Sequence, residues 1–266
     1  MHRVGTKALI VGSAHVAPRD RLPDAVFDSV DLVIAADAGI AACRRLGLRP
    51  DLAVGDFDSA GPDELEALDA SGIPVLRVPA EKDESDLELA LAQAVERDAR
   101  MVVVLGALGG PRIEHELSAI ALVGHASDLG VGMSLVDERS SVSLLDAAGD
   151  GYGGRSRAAR ARPARARPAR FTVEGAPGDF VSLFPFGGDA IGVTTEGLRY
   201  PLRDEDLPVG PSRGLSNELA GTRGEVICRH GRLLIVHTRR AALDSPRADG
   251  PAAAWPAQET ERSPLA

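Results

Sequence analysis

From residue 7 to about residue 145, short β-rich apolar runs alternate with amphipathic stretches. The runs Ala8–Val11, Leu32–Ala36, Leu52–Val54, Val75–Val78, Val102–Leu105 and Met133–Val136 predict strands. Between them, Gly39–Leu46, Pro62–Ala70, Ser85–Arg97 and Glu114–Leu129 predict helices. Leu87, Leu91, Ala94 and Val95 recur at helical spacing with acids between them, the pattern of a surface helix laid on a sheet. Such alternation predicts an α/β domain with a mostly parallel sheet, whose ligands gather outside the C-terminal strand ends.

The period changes after residue 170. Phe180–Phe184, Ile191–Thr195, Glu225–Cys228 and Leu233–Val236 are short strand-like runs separated by Gly and Pro turns, with no clear helix. They predict an all-β domain of sandwich type. The expected organisation is an α/β domain over 1–146, a disordered Gly/Arg-rich insertion over 147–170, a β-sandwich over 171–240 and a disordered Pro/Ala-rich tail over 241–266.

Charge sharpens this picture. Residues 155–170 hold seven Arg and no acid, so the rest of the chain carries 23 basic against 39 acidic residues, a balance of −16 behind the overall −9. A body that acidic argues against nucleic-acid binding by the folded core and suits cation-assisted handling of a phosphate ligand. The Arg-rich stretch reads as a tolerated loop insertion, with an electrostatic arm as the alternative. Cys43 and Cys228 are too few and too far apart for a disulfide framework or a cysteine metal site, so a reducing cytoplasm is expected. Lys7–Gly12 reads as a first strand and not as a secretion signal, and no apolar run reaches membrane-spanning length.

Candidate chemistry collects where an α/β sheet places its ligands. Asp37 ends the run Leu32–Ala36, and Asp56 and Asp58 follow Leu52–Val54. Two carboxylates two residues apart past a strand project to one side and repel unless a cation lies between them; hard oxygens with no nearby Cys or His suit Mg²⁺. Glu81-Lys82-Asp83-Glu84-Ser85-Asp86 follows Val75–Val78 and opens a helix, where Asp83 and Asp86 could also serve as an N-cap and its N3 acid. The loop from Gly106 through Gly109 to Arg112, Glu114 and His115 follows Val102–Leu105 and opens another. Acids at four strand ends, with Lys82 and Arg112 among them, form a layout for a polyphosphate–Mg²⁺ complex without a P-loop.

The order of these motifs resembles the thiamine pyrophosphokinase family. The match runs through Ala36-Asp37-Ala38-Gly39, then Pro50 to Ser59, then Lys82-Asp83-Glu84-Ser85-Asp86, then Gly109-Gly110-Pro111-Arg112-Ile113-Glu114-His115. It resumes at Val181-Ser182-Leu183-Phe184-Pro185, at 194–202 and at Gly214-Leu215-Ser216-Asn217-Glu218. The chain departs from the family pattern at Ala38, Ser85, Pro111, Glu114 and Ala119.

The resemblance implies transfer of the diphosphoryl group of ATP to the hydroxyl of thiamine, giving thiamine diphosphate and AMP in a homodimer with thiamine between subunits. It implies that Asp37, Asp56, Asp58, Asp83 and Asp86 hold Mg²⁺ and that Asp56, Asp58, Asp86 and Lys82 serve catalysis. Lys82, Asp83, Gly109, Arg112, Glu114 and His115 would bind ATP, and Tyr200, Ser216 and Asn217 would bind thiamine. Alternatives are a pyrophosphokinase of another heteroaromatic alcohol such as a pterin, and a non-catalytic thiamine- or nucleotide-binding protein.

Overall fold

The computed structural model describes residues 6–57, 68, 70–79, 81–147 and 168–244. Most predicted strands form, several of them longer than their apolar runs. They are β1 (Thr6–Val11), β2 (Leu32–Ala36), β3 (Leu52–Gly55), β4 (Val75–Arg77), β5 (Ala99–Leu105) and β6 (Gly132–Val136). Helix α1 spans Gly39–Arg45, α2 spans Asp86–Glu96 and α3 spans Ile113–Asp128. The helix expected over 62–70 lies outside the described residues, apart from Leu68 and Ala70. At α2 the cap is Ser85, whose Oγ accepts from the Glu88 amide at 3.2 Å, so Asp83 is not the N-cap.

Beyond β6 come strands that the apolar pattern only partly shows. These are β7 (Ser140–Asp146), β8 (Ala169–Glu174), β9 (Phe180–Pro185), β10 (Ala190–Glu196), β11 (Glu205–Leu207), β12 (Asn217–Glu218), β13 (Arg223–Cys228) and β14 (Arg232–Thr238). A short helix α4, Arg240–Leu243, closes the described chain. Ten strands form one sheet in the order β12-β9-β14-β7-β6-β5-β1-β2-β3-β4. From β6 through β5, β1, β2 and β3 to β4 neighbouring strands pair in parallel; from β6 to β7 and onward to β12 they pair antiparallel. The fold class is therefore the expected one, a mostly parallel α/β region followed by antiparallel β structure. The regions share a sheet: β9, β12 and β14 extend it, while β8, β10, β11 and β13 make a separate four-stranded antiparallel sheet.

Strand alternation sorts the core. Ile10, Ile34, Val104 and Leu135 face α2 and α3, where they meet Leu91, Ala94 and Val123. Leu9, Val11, Ala35 and Leu105 face the other way, against α1 and Phe57. Farther along that second face, Val181, Leu183, Leu233 and Ile235 pack on Val193 and Val226 of the four-stranded sheet.

The ordered boundaries lie inside the segments expected to be disordered. Ala147 is buried, Ala169 and Arg170 already belong to β8, and Ala241 lies in α4. The remainder of 147–170 and of 241–266 is outside the described residues.

One buried cation joins the two regions. Arg232, at the start of β14, pairs with Asp146 of β7 at 2.8 Å and with Asp128 at the end of α3 at 2.5 Å. Removing the guanidinium strands two partly covered carboxylates beside each other. Arg232→Ala should lower unfolding free energy by about 3 kcal/mol in urea titrations. A change within a few tenths of a kcal/mol would mean the pairs contribute nothing net.

Candidate active site

The ends of β1, β2, β3 and β5 meet because glycine lets the backbones touch. A Cβ on Gly39 would lie 1.9 Å from the Val11 carbonyl oxygen, so the start of α1 can press against the end of β1 only as glycine. A Cβ on Gly55 would come within 3.2 Å of the Asp37 Cβ. Asp37 adopts a left-handed backbone, φ 49°, which Asp tolerates better than most residues, and its amide donates to the Val54 carbonyl at 2.8 Å. The carboxyl of Asp37 is thereby buried beside the end of β3, and the Ser13 hydroxyl approaches its Oδ2 at 3.5 Å.

Asp56 and Asp86 come from different strand ends and meet at Lys82. The Lys82 ammonium donates to Asp56 Oδ2 at 3.2 Å and lies 3.1 Å from Asp86 Oδ1, with all three side chains largely covered. Burial pulls the Lys82 ammonium down, but hydrogen bonds and charge from Asp86 and Asp56 outweigh it and hold it above the ordinary lysine value. Burial pushes the Asp86 carboxyl up; Lys82 pulls it back, and the negative charges of Asp37 and Asp56 push it up again, for a net rise. The three carboxylates therefore sense one another as a cluster, and the cluster attracts cations.

Next to it opens a cavity of about 390 Å³. Ser13, Lys82, Asp86, Gly106, Gly110, Arg112, His115 and Ala119 are among the residues that line it. The Gly109 amide donates to Glu116 Oε2 at 3.2 Å, which ties the glycine loop to the first turn of α3. Arg112 and Glu114 are exposed and paired with each other at 2.6 Å; a backbone hydrogen bond first, and then that contact, hold the Glu114 carboxyl below its usual range. A second cavity, about 450 Å³, opens on the opposite sheet face between Ser134, Ser143 and His237, and none of the predicted site residues lines it.

The predicted residues thus divide. Asp37, Asp56, Lys82 and Asp86 converge, while Gly109, Arg112, Glu114 and His115 stand at or beside the cavity. Asp83 is exposed, and Asp58 lies outside the described residues. Tyr200, Ser216 and Asn217 lie together at the other end of the large sheet, on and beside β12. Tyr200 is 52% exposed and so is not filling the core, whereas Asn217 is buried. Ser13 and Glu116 are additions that the apolar pattern did not suggest. Ser13 directly follows Gly12 at the end of β1, a strand end that carries no acid to mark it.

The donor set suits Mg²⁺, since its members are carboxylate oxygens and an ammonium already occupies a cation position between two of them. Among the described residues no three His, Cys, Asp or Glu side chains form a closed ligand set. Asp56 and Asp86, which Lys82 bridges, are the two carboxylates placed to approach one cation.

An acid cluster and glycine loop at the ends of a parallel sheet, with an antiparallel extension beside an exposed aromatic, define a two-part α/β architecture with its candidate site at the strand ends. Comparison with known proteins assigns its family. Residues 24–133 match the family model of the thiamin pyrophosphokinase catalytic domain, and residues 170–233 match that of the thiamin pyrophosphokinase vitamin B1 binding domain. The chain belongs to the thiamine pyrophosphokinase family. It is 27% identical over 225 residues to thiamine pyrophosphokinase of Bacillus subtilis, covering 83% of this chain and 94% of the relative. A crystal structure of thiamin pyrophosphokinase from Geobacillus thermodenitrificans superposes with TM-score 0.68 at 28% identity, covering 88% and 97% of the two chains. The Bacillus subtilis structure, at 24% identity and TM-score 0.71, covers 88% and 99% and supports the fold.

If Lys82 stands in for a metal cation between Asp56 and Asp86, its removal should transfer that role to added metal. Lys82→Met should increase the rise in melting temperature that millimolar Mg²⁺ or Mn²⁺ produces without nucleotide, read by thermal unfolding. An equal or smaller rise than in the parent protein would contradict the arrangement.

Proposed function

We propose that this protein transfers the diphosphoryl group of ATP to the hydroxyl of thiamine, releasing AMP and thiamine diphosphate. The observation that carries this reading is the Asp56–Lys82–Asp86 cluster at the mouth of the glycine-lined cavity, in a chain matching both the catalytic and the vitamin B1 binding regions of the family. In the reaction the thiamine hydroxyl oxygen forms a bond to the β-phosphorus, the bond from that phosphorus to the α–β bridging oxygen breaks, and the hydroxyl proton is lost. Little covalent work falls to the protein, so positioning and charge neutralisation supply the rate.

Mg²⁺ held by Asp56 and Asp86 would neutralise phosphate charge. Lys82 exchanges its carboxylate partners for a phosphate oxygen, as a compact ammonium on a flexible stem can. Arg112, exposed on a short loop, turns from Glu114 to the polyphosphate. The glycine loop, tied down by Glu116, offers backbone amides at the start of α3. Tyr200 presents a ring face on which the cationic thiazolium stacks.

Sheet order supports a homodimer. Asn217 lies in β12 and Asp56 follows β3, eight inter-strand steps away, on the order of 40 Å at ~4.8 Å per step. Thiamine held by Tyr200 of one chain cannot meet ATP held by Asp56 of the same chain, and a second copy closes that gap. Among the described residues no helix is long and apolar enough to cross a membrane. Both cysteines are buried thiols, in keeping with the cytoplasm as the working compartment.

Incubation with ATP, Mg²⁺ and thiamine should yield AMP and thiamine diphosphate in equal amounts, followed by phosphorus NMR. ADP as the product, or no product, would overturn the reading. Asp56→Asn should lower turnover by orders of magnitude with the fold intact by circular dichroism. Tyr200→Ala should raise the thiamine KM by a stacking contribution of roughly 0.5–2 kcal/mol and leave the ATP KM unchanged; matching changes in both would argue against a thiamine platform.

A further inference from the structure

The segment bearing Tyr200 is stitched to the strand beside it. Leu198 bridges Leu219, the Arg199 amide donates to the Glu218 carbonyl at 2.9 Å, and the Ala220 amide donates to the Gly197 carbonyl at 2.9 Å. On its far side the Leu202 amide is held by the Thr195 hydroxyl at 2.8 Å and the Asp204 amide by Thr194 at 3.1 Å. Between these anchors stands Tyr200, whose ring is exposed while its backbone must be satisfied.

At Tyr200 the backbone ladder ends, because the backbone of Asn217 is paired with Val181 of β9. The Asn217 side chain takes over. Its Oδ1 accepts from the Tyr200 amide at 3.0 Å and its Nδ2 donates to the Tyr200 carbonyl at 2.6 Å. Oδ1 also accepts from the Glu218 amide at 2.9 Å. A carboxamide is a peptide group on a stalk, so it continues the ladder by one rung, with donor and acceptor both in place. Aspartate lacks the donor and serine lacks the reach. The amide is buried and already engaged, which leaves it poorly placed to read a substrate edge.

The same rung orders the ring's charged surroundings. Arg199 stands 5.5 Å from the Tyr200 ring centroid and is held at 3.0 Å by Glu218, the residue after Asn217. A cationic ring arriving on this aromatic would be repelled by the guanidinium, and the Glu218 carboxylate paired with it offsets that charge.

We propose that Asn217 is a positioning residue for the acceptor, a side-chain rung that fixes the Tyr200 backbone so that the ring is presented preformed, without touching the substrate itself. The proposal rests on the reading of Tyr200 as the acceptor's platform. It is tested with Asn217→Ala, Asn217→Asp, Tyr200→Ala and the double variant N217A/Y200A, measuring thiamine KM, ATP KM, kcat and hydrogen exchange at the Tyr200 amide.

Asn217→Ala should raise thiamine KM roughly tenfold, leave ATP KM unchanged and speed exchange of the Tyr200 amide. In the Y200A background the same substitution should add little, because the ring it positions is gone. Asn217→Asp, which keeps the shape and loses the 2.6 Å donor, should show the same pattern and serves if the alanine variant does not fold. Full additivity of N217A and Y200A would overturn the proposal by making Asn217 a direct contact. Equal losses in thiamine and ATP parameters would overturn it in favour of a general structural role. If Tyr200→Ala leaves thiamine KM unchanged, the acceptor reading fails and the proposal with it; if Y200A raises it and neither Asn217 variant does, the proposal alone fails.

Discussion

One hydrogen-bonded sheet sets the distances on which everything else depends. It grows in parallel from β4 to β6 and then reverses at a tight turn, where Asp137 Oδ1 accepts from the amides of Arg139 and Ser140 at 2.7 and 2.6 Å. Past that turn every pairing within this sheet is antiparallel, and the sheet runs on to β12 without a break. A continuous ladder is stiff in its own plane. The carboxylates at one end and Tyr200 at the other cannot approach each other by a hinge between two domains, because no seam separates them. The buried Arg232, bonded to both α3 and β7, reinforces the join.

Within the parallel half, a second constraint is charge. Crowded carboxylates are costly unless a cation is present, and Lys82 supplies one between Asp56 and Asp86. The ammonium is held from two sides at moderate distance and stays on a flexible stem. Such an arrangement offsets the crowded charge in the absence of ligand and leaves the ammonium free to swing on its stem. The acceptor half works the opposite way. There the polar groups are spent on backbone, and an aromatic ring is left exposed.

Much of this was legible in the sequence, for identifiable reasons. Buried parallel strands write themselves as apolar runs, so β1, β2, β3, β5 and β6 stand out, and the acids directly after β2 and β3 fall where such a sheet collects ligands. Strand β7, Ser-Ser-Val-Ser-Leu-Leu-Asp, was not legible, because its serines face a gap between core layers and only its pairing with β6 and β14 makes it a strand. Strand β12 is two residues long and has no pattern to read. The role of Asn217 also needed coordinates: a Ser-Asn pair beside a glycine reads as a turn or a contact, and only geometry shows an amide completing a ladder. The spacing of Asp83 and Asp86 suits an N-cap and its N3 acid, yet Ser85 takes the cap.

We propose that the groups at opposite ends of this sheet act together only across two chains. Complementation tests it most directly. Asp56→Asn protein, nearly inactive alone, and Tyr200→Ala protein, slowed roughly 2- to 30-fold at a thiamine concentration well below KM, would be mixed in equal amounts, unfolded and refolded together. Random pairing makes half of the dimers mixed, and each mixed dimer regains one of its two sites, so activity should return to about a quarter of the parent level. Activity no higher than the sum of the two variants refolded separately would contradict the account.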